Sequence, residues 1–120
     1  MAADGSQVTA RTETRLWIAQ RASAAVLALC VVVHLIVIVY AMQGGLSAAE
    51  ILGRTRGSVG WLAFYSVFVL AAAVHAPIGL RAVLMEWAGA RGRSLAIVVH
   101  AFALVLAAVG LRAVWAVFAP

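Results

Sequence analysis

An all-α integral membrane protein with three transmembrane helices and a short external surface helix is the fold class that this sequence predicts, and three observations predict it. Hydrophobic residues make up 66% of the 120 residues and charged ones only 11%, with a mean hydropathy of +1.07. That is more apolar surface than a soluble domain of this size needs. Residues 22–42, 57–80 and 94–111 carry no charged side chain, and a helix needs ~20 mainly apolar residues to cross ~30 Å of hydrocarbon. The strict alternation of a barrel strand is missing from these runs. The helix is then the spanning element, because backbone polar groups in lipid must be satisfied within the segment or in a closed barrel.

In chain order, residues 1–14 are small and polar and read as a disordered cytoplasmic tail. A single membrane domain follows over 15–120, with helices at about 15–42, 59–87 and 94–118. The first helix opens on an amphipathic stretch from Arg15 to Arg21, in which Trp17 suits an interfacial anchor. Its apolar run is too long for the core of a signal peptide, and Tyr40-Ala41-Met42-Gln43-Gly44 is a poor cleavage site. Gln43-Gly44-Gly45 stops the helix. Ser47-Ala48-Ala49-Glu50 then has the capping-box pattern, serine at the N-cap and glutamate three residues on, which predicts the short external helix to about Leu52 and a loop over 53–58. The second span carries Trp61 and Tyr65 near its outer end and runs through Pro77 to Trp87. A tight loop over 88–93 leads to the third span, from Ser94. No internal repeat and no second domain is visible.

All nine basic residues are arginine. Arg11, Arg15, Arg21, Arg81, Arg91 and Arg93 fall on one side of the spans, and Arg54, Arg56 and Arg112 on the other. The positive-inside rule therefore puts the N-terminus in the cytoplasm of a multi-pass protein. The net charge of +5 is an orientation signal and not a nucleic-acid footprint. The lone Cys30 has no partner for a disulfide, and without a CxxC the chain carries no iron–sulfur or zinc cluster of its own.

Each span holds one histidine: His34, His75 and His100. Ionisable side chains at membrane depth are costly and mark function by default, and imidazole is the commonest protein ligand for haem iron. His34 lies ~20 Å past Arg21 and His75 ~18 Å before Trp87, so both sit near mid-membrane, whereas His100 is only ~9 Å past Ser94. Gln20, Ser23, Leu27, Cys30 and His34 share one stripe of the first helix. Ala72, His75 and Gly79 share a face of the second, which leaves room for a flat macrocycle or a close helix. Pro77 removes a backbone bond to the Ala73 carbonyl beside His75. His75 and His34 are thus candidate haem ligands, with hydrogen bonding across to another helix as the alternative for each. Arg81, ~9 Å nearer the inner end than His75, is placed either to meet a haem propionate or to snorkel to the interface.

The run His75-Ala76-Pro77-Ile78-Gly79-Leu80-Arg81, with Glu86 following, resembles the second-helix motif H-x-x-x-G-[IL]-R of the cytochrome b membrane-anchor subunit of succinate dehydrogenase, complex II. Gln20-Arg21-Ala22-Ser23-Ala24 resembles that family's first-helix motif H-R-x-S-G. The resemblance covers roughly residues 17–118. It implies haem b ligated by His75, haem propionates near Arg21 and Arg81, and a site for ubiquinone or menaquinone formed by Trp17, Arg21 and Ser23. Gln20 and Ala24 depart from the motif, and Trp17 stands where many members have a serine. His34 is similar to the first-helix histidine of two-haem anchors, which would make two haems with a partner subunit.

On this resemblance the chain is non-catalytic alone and is the membrane anchor of a succinate:quinone oxidoreductase in a bacterial inner membrane. Flavoprotein and iron–sulfur subunits dock on its cytoplasmic face and pass electrons to quinone. A second anchor subunit or a homo-oligomer completes the haem site. The alternatives are a cytochrome b anchor of another membrane oxidoreductase, and a haem-free assembly or transport subunit.

Overall fold

The structure is a computed structural model and describes residues 2–120. It contains four helices and no strand among the described residues: α1 (Ala2–Gly44), α2 (Ala48–Thr55), α3 (Val59–Trp87) and α4 (Gly92–Phe118). The helices α1, α3 and α4 are each long and apolar enough to cross a membrane, and α2 is the short helix outside the spans. The middle helix is α3, with α1 and α4 packed on it and α2 set against α4.

The bounds of α3 are those predicted. The first span differs. The polar tail expected over 1–14 is helical from Ala2 onward, and Met1 lies outside the described residues. Thr9, Thr12 and Thr14 each turn their hydroxyl back onto the carbonyl four residues earlier, at 2.9–3.0 Å, which satisfies the hydroxyls within the helix without stabilising it. Glu13 pairs with Arg81 of α3 at 3.0 Å, and a helix already nucleated in the span extends at little further cost. At 43 residues α1 is ~65 Å long, which matches the 62 Å long axis of the molecule.

The capping box forms as read. Ser47 N–H and Oγ–H donate to the Glu50 carboxylate at 2.9 and 2.5 Å, and Glu50 N–H donates to Ser47 Oγ at 3.3 Å. Gly45 makes the turn with φ +107°, and a side chain there would run into the Glu50 carboxylate. The hydroxyl and then the backbone N–H of Ser47, helped by Arg54, hold the Glu50 carboxyl below its ordinary 4.5 against a smaller opposing effect of burial. A depressed pKa contributes stability that is present above the unfolded value and lost as pH falls through the folded one. Protection factors of the α2 amides are therefore expected to drop as the pH is lowered below about 4.5. In Glu50→Gln they should be low and flat with pH; an unchanged pH response would sink the assignment.

α2 continues past Leu52 to Thr55, replacing half of the expected loop. The reason is tertiary. Thr55 Oγ1 donates to the Val117 carbonyl at 2.8 Å, Gly57 N–H to Phe118 at 2.9 Å and Arg56 Nε–H to Ala119 at 3.0 Å. These donors take up carbonyls at the end of α4 that a helix terminus would otherwise leave open. At the other end of the bundle, Gly89 (φ +62°) turns the chain out of α3, and Ala90 N–H closes on the Leu84 carbonyl at 3.0 Å. The third long helix starts at Gly92, two residues before the expected Ser94.

Few side chains are enclosed. Ser23, Cys30, Ala41, Thr55, Pro77, Leu95 and Val114 are buried, while many Leu, Ile and Val side chains along α1 and α4 face outward. A surface so apolar belongs in lipid or against other membrane helices.

Candidate functional site

The polar stripe of α1 is the face turned to α3. Ser23 is 7% exposed, and its Oγ lies 2.6 Å from the Ala19 carbonyl and 3.1 Å from that of Gln20. On its other side the same oxygen is 3.4 Å from His75 Nδ1. The hydroxyl has one proton, and the nearby Ala19 carbonyl takes it. Toward His75 the oxygen can then only accept, which places the imidazole proton on Nδ1 and leaves Nε2 with a free lone pair. A histidine that ligates a metal through one nitrogen normally donates its other N–H to such an outer partner, which sets tautomer and ring orientation. His75 therefore has the donor chemistry that a haem iron needs. Among the described residues no group of three His, Cys, Asp or Glu could hold a bare metal ion.

Beside this pair, the α1–α3 seam opens into a groove of ≈ 610 Å³ lined by Glu13, Trp17, Gln20, Ile78 and Arg81, among others. Gln20 reaches across to α3, where a Cβ on Gly79 would stand 3.6 Å from its Nε2. Its Oε1 is buried with no hydrogen-bond partner. Arg21 leaves the seam: it is exposed, with its guanidinium 5.2 Å from the Trp17 ring centroid. Ser23 and His75 are thus brought together, Trp17 and Arg81 line one groove, and Arg21 reaches it only through Trp17.

Two residues at the groove were not singled out from sequence as site residues. Glu13 pairs with Arg81, and Gln20 was read as a departure from a motif. The signal is spacing: Glu13, Trp17 and Gln20, at i, i+4 and i+7, share a helix face. It becomes visible once α1 is continued back through the polar segment.

The other two histidines lie elsewhere. His34 Nδ1 is 3.3 Å from the Tyr65 hydroxyl, and its ring meets Tyr65 and Phe68 edge-on at 5.7 and 5.8 Å. It sits in an aromatic cluster with Trp61 and Phe64, ~16 Å along α1 from Ser23. His100 is exposed on α4, and its Nδ1–H donates to the Ala96 carbonyl at 2.7 Å.

No curated protein and no solved structure matches the chain. A family model does. It is that of the succinate dehydrogenase/fumarate reductase transmembrane subunit, and it matches residues 2–109, from the start of α1 to well into α4. With three helices of spanning length, the two motifs meeting at Ser23 and His75, and this match over most of its length, the chain belongs to the family of succinate dehydrogenase/fumarate reductase transmembrane subunits.

Proposed function

We propose that this chain is the cytochrome b anchor of a succinate:quinone oxidoreductase, holding haem b through His75 and forming part of the quinone site. The observation that carries the proposal is the Ser23–His75 contact. It joins the first-helix and second-helix motifs and supports the reading in which His75 Nε2 is the ligand atom. Bound there, haem b supplies a one-electron redox centre within the membrane. A further residue for the haem would come from another chain, a second anchor subunit or a second copy, because His75 faces α1 through Ser23 while His34 stands ~16 Å further along α1 and His100 is on α4.

The groove of Trp17, Gln20 and Arg81 is where the quinone head group sits in this reading. The unpartnered Gln20 Oε1 accepts a quinol hydroxyl, the amide N–H₂ donates to a quinone carbonyl, and the Arg81 guanidinium favours negative charge developing on the ring oxygens. Ser23 holds the His75 ring in register. Arg21, stacked on Trp17, is left for the haem propionates or an interfacial anion. Flavoprotein and iron–sulfur subunits dock at the arginine-rich end where α1 projects. The positive-inside rule makes that the cytoplasmic side, and the membrane in this reading is a bacterial inner membrane.

Purification of the tagged chain from its native membrane tests the proposal. The expected preparation contains a flavoprotein that oxidises succinate and reduces a quinone analogue, and its dithionite-reduced spectrum shows a b-type α-band. A pure, active complex without that band would overturn the haem assignment. A haem-containing preparation with no succinate-oxidising partner would point instead to the anchor of another oxidoreductase.

A further inference from the structure

A second groove, of ≈ 620 Å³, lies where α1 and α4 diverge on either side of α3, at the α1 N-terminal end of the bundle. Leu16, Pro77, Ile78, Leu95, Val99 and Ala103 are among the side chains that wall it. We propose that it binds one anionic phospholipid from the leaflet on that side of the membrane. The proposal is independent of the haem and quinone reading.

Length is the first argument. The groove runs from Met85 to Ala73 on α3 and from Arg91 to Ala103 on α4, ~18 Å in each case. That is little more than half of the ~30 Å hydrocarbon thickness. Further along, α4 closes onto α3: a Cβ on Gly110 would stand 2.5 Å from a Val69 methyl. The groove is thus about one leaflet deep. An acyl chain fills such a space, whereas a transmembrane helix of a partner would need it to continue to the far side.

Polarity is the second. The walls are apolar toward mid-membrane, and the cations Arg81 and Arg91 both line the groove toward its outer end. Glu13 neutralises Arg81 and lines the neighbouring groove, not this one. Arg91 has no ion-pair partner among the described residues. It is also the N-cap of α4 and offers no side-chain cap, so first-turn N–H groups add to the positive potential at that end. His100 lines the wall but spends its Nδ1–H on Ala96. Basic pockets between transmembrane helices at the interface suit anionic head groups.

The test uses the assembled complex in nanodiscs that carry, at equal mole fraction, phosphatidylglycerol or phosphatidylcholine with a photoactivatable group on one acyl chain. Phosphatidylglycerol is expected to label Leu95, Val99 or Ala103 in preference to phosphatidylcholine, a comparison that needs no variant. Arg91→Gln should lower the phosphatidylglycerol label about fivefold, toward the phosphatidylcholine level. Arg93→Gln, at an exposed cation outside the groove, should leave it unchanged. Ala103→Leu, which fills the groove, should reduce labelling by both lipids. Equal labelling by the two lipids, or equal loss in the two arginine variants, would overturn the proposal. So would no groove label in the complex, as when a partner's helix occupies the space, or suppression of the label by millimolar inorganic phosphate.

Discussion

In the purified complex, His75→Ala is expected to abolish the b-type α-band of the reduced spectrum while the chain still inserts and assembles. His75 faces α1 through Ser23, whereas His34 sits in an aromatic cluster ~16 Å along α1 from Ser23 and His100 is on α4. His34→Ala should accordingly keep the band. Loss of a separate band in that variant would instead establish a second haem. Ser23→Ala is the finer probe, because Ser23 acts through His75 as a positioning residue. Removing such a partner typically weakens metal binding ~10–100-fold. A shifted α-band and midpoint potential with partial haem loss are expected, and Ser23→Thr, which keeps the hydroxyl, should restore both. A full, unshifted band in His75→Ala would end the ligand assignment.

The second large effect is on stability. Gly110 of α4 is packed so closely on Val69 of α3 that a Cβ would lie 2.5 Å from one methyl and 3.1 Å from the other. Valine is β-branched and holds one χ1 rotamer in a helix, so it has no easy retreat. Gly110→Val should therefore destabilise the α3–α4 pair by about 1–3 kcal/mol, the usual cost of overpacking, read as a lowered thermal midpoint in detergent. Val69→Ala in the same chain should recover much of the loss, a coupling that a double-mutant cycle measures. Equal damage with and without Val69 would show that the glycine matters for another reason.

The spans and the capping box were legible because each rests on local chemistry: apolar runs of membrane length, and a serine and a glutamate at capping distance. The face of α1 was legible too, since helical phasing alone groups Gln20, Ser23, Cys30 and His34, and Ser23 and His34 meet α3 there while Cys30 is buried. What escaped depends on partners far away in sequence. The helical state of residues 2–14 is supported by Arg81, and small polar residues read locally as a tail. The last turn of α2 is held by carbonyls of Val117 to Ala119, and Gly53 reads locally as a stop. For His34, the deciding neighbours are the aromatic side chains of α3, which no spacing within α1 announces.

The unbroken run of α1 from Ala2 to Gly44 has a mechanical consequence. No glycine turn or proline interrupts it between Glu13 and Ser23. Whatever grips the projecting segment therefore holds one end of a rod whose azimuth sets where Ser23 points. A partner that rotated that end by a few degrees would change how the serine meets His75, and so set a lever between a contact outside the membrane and the environment of an imidazole inside it.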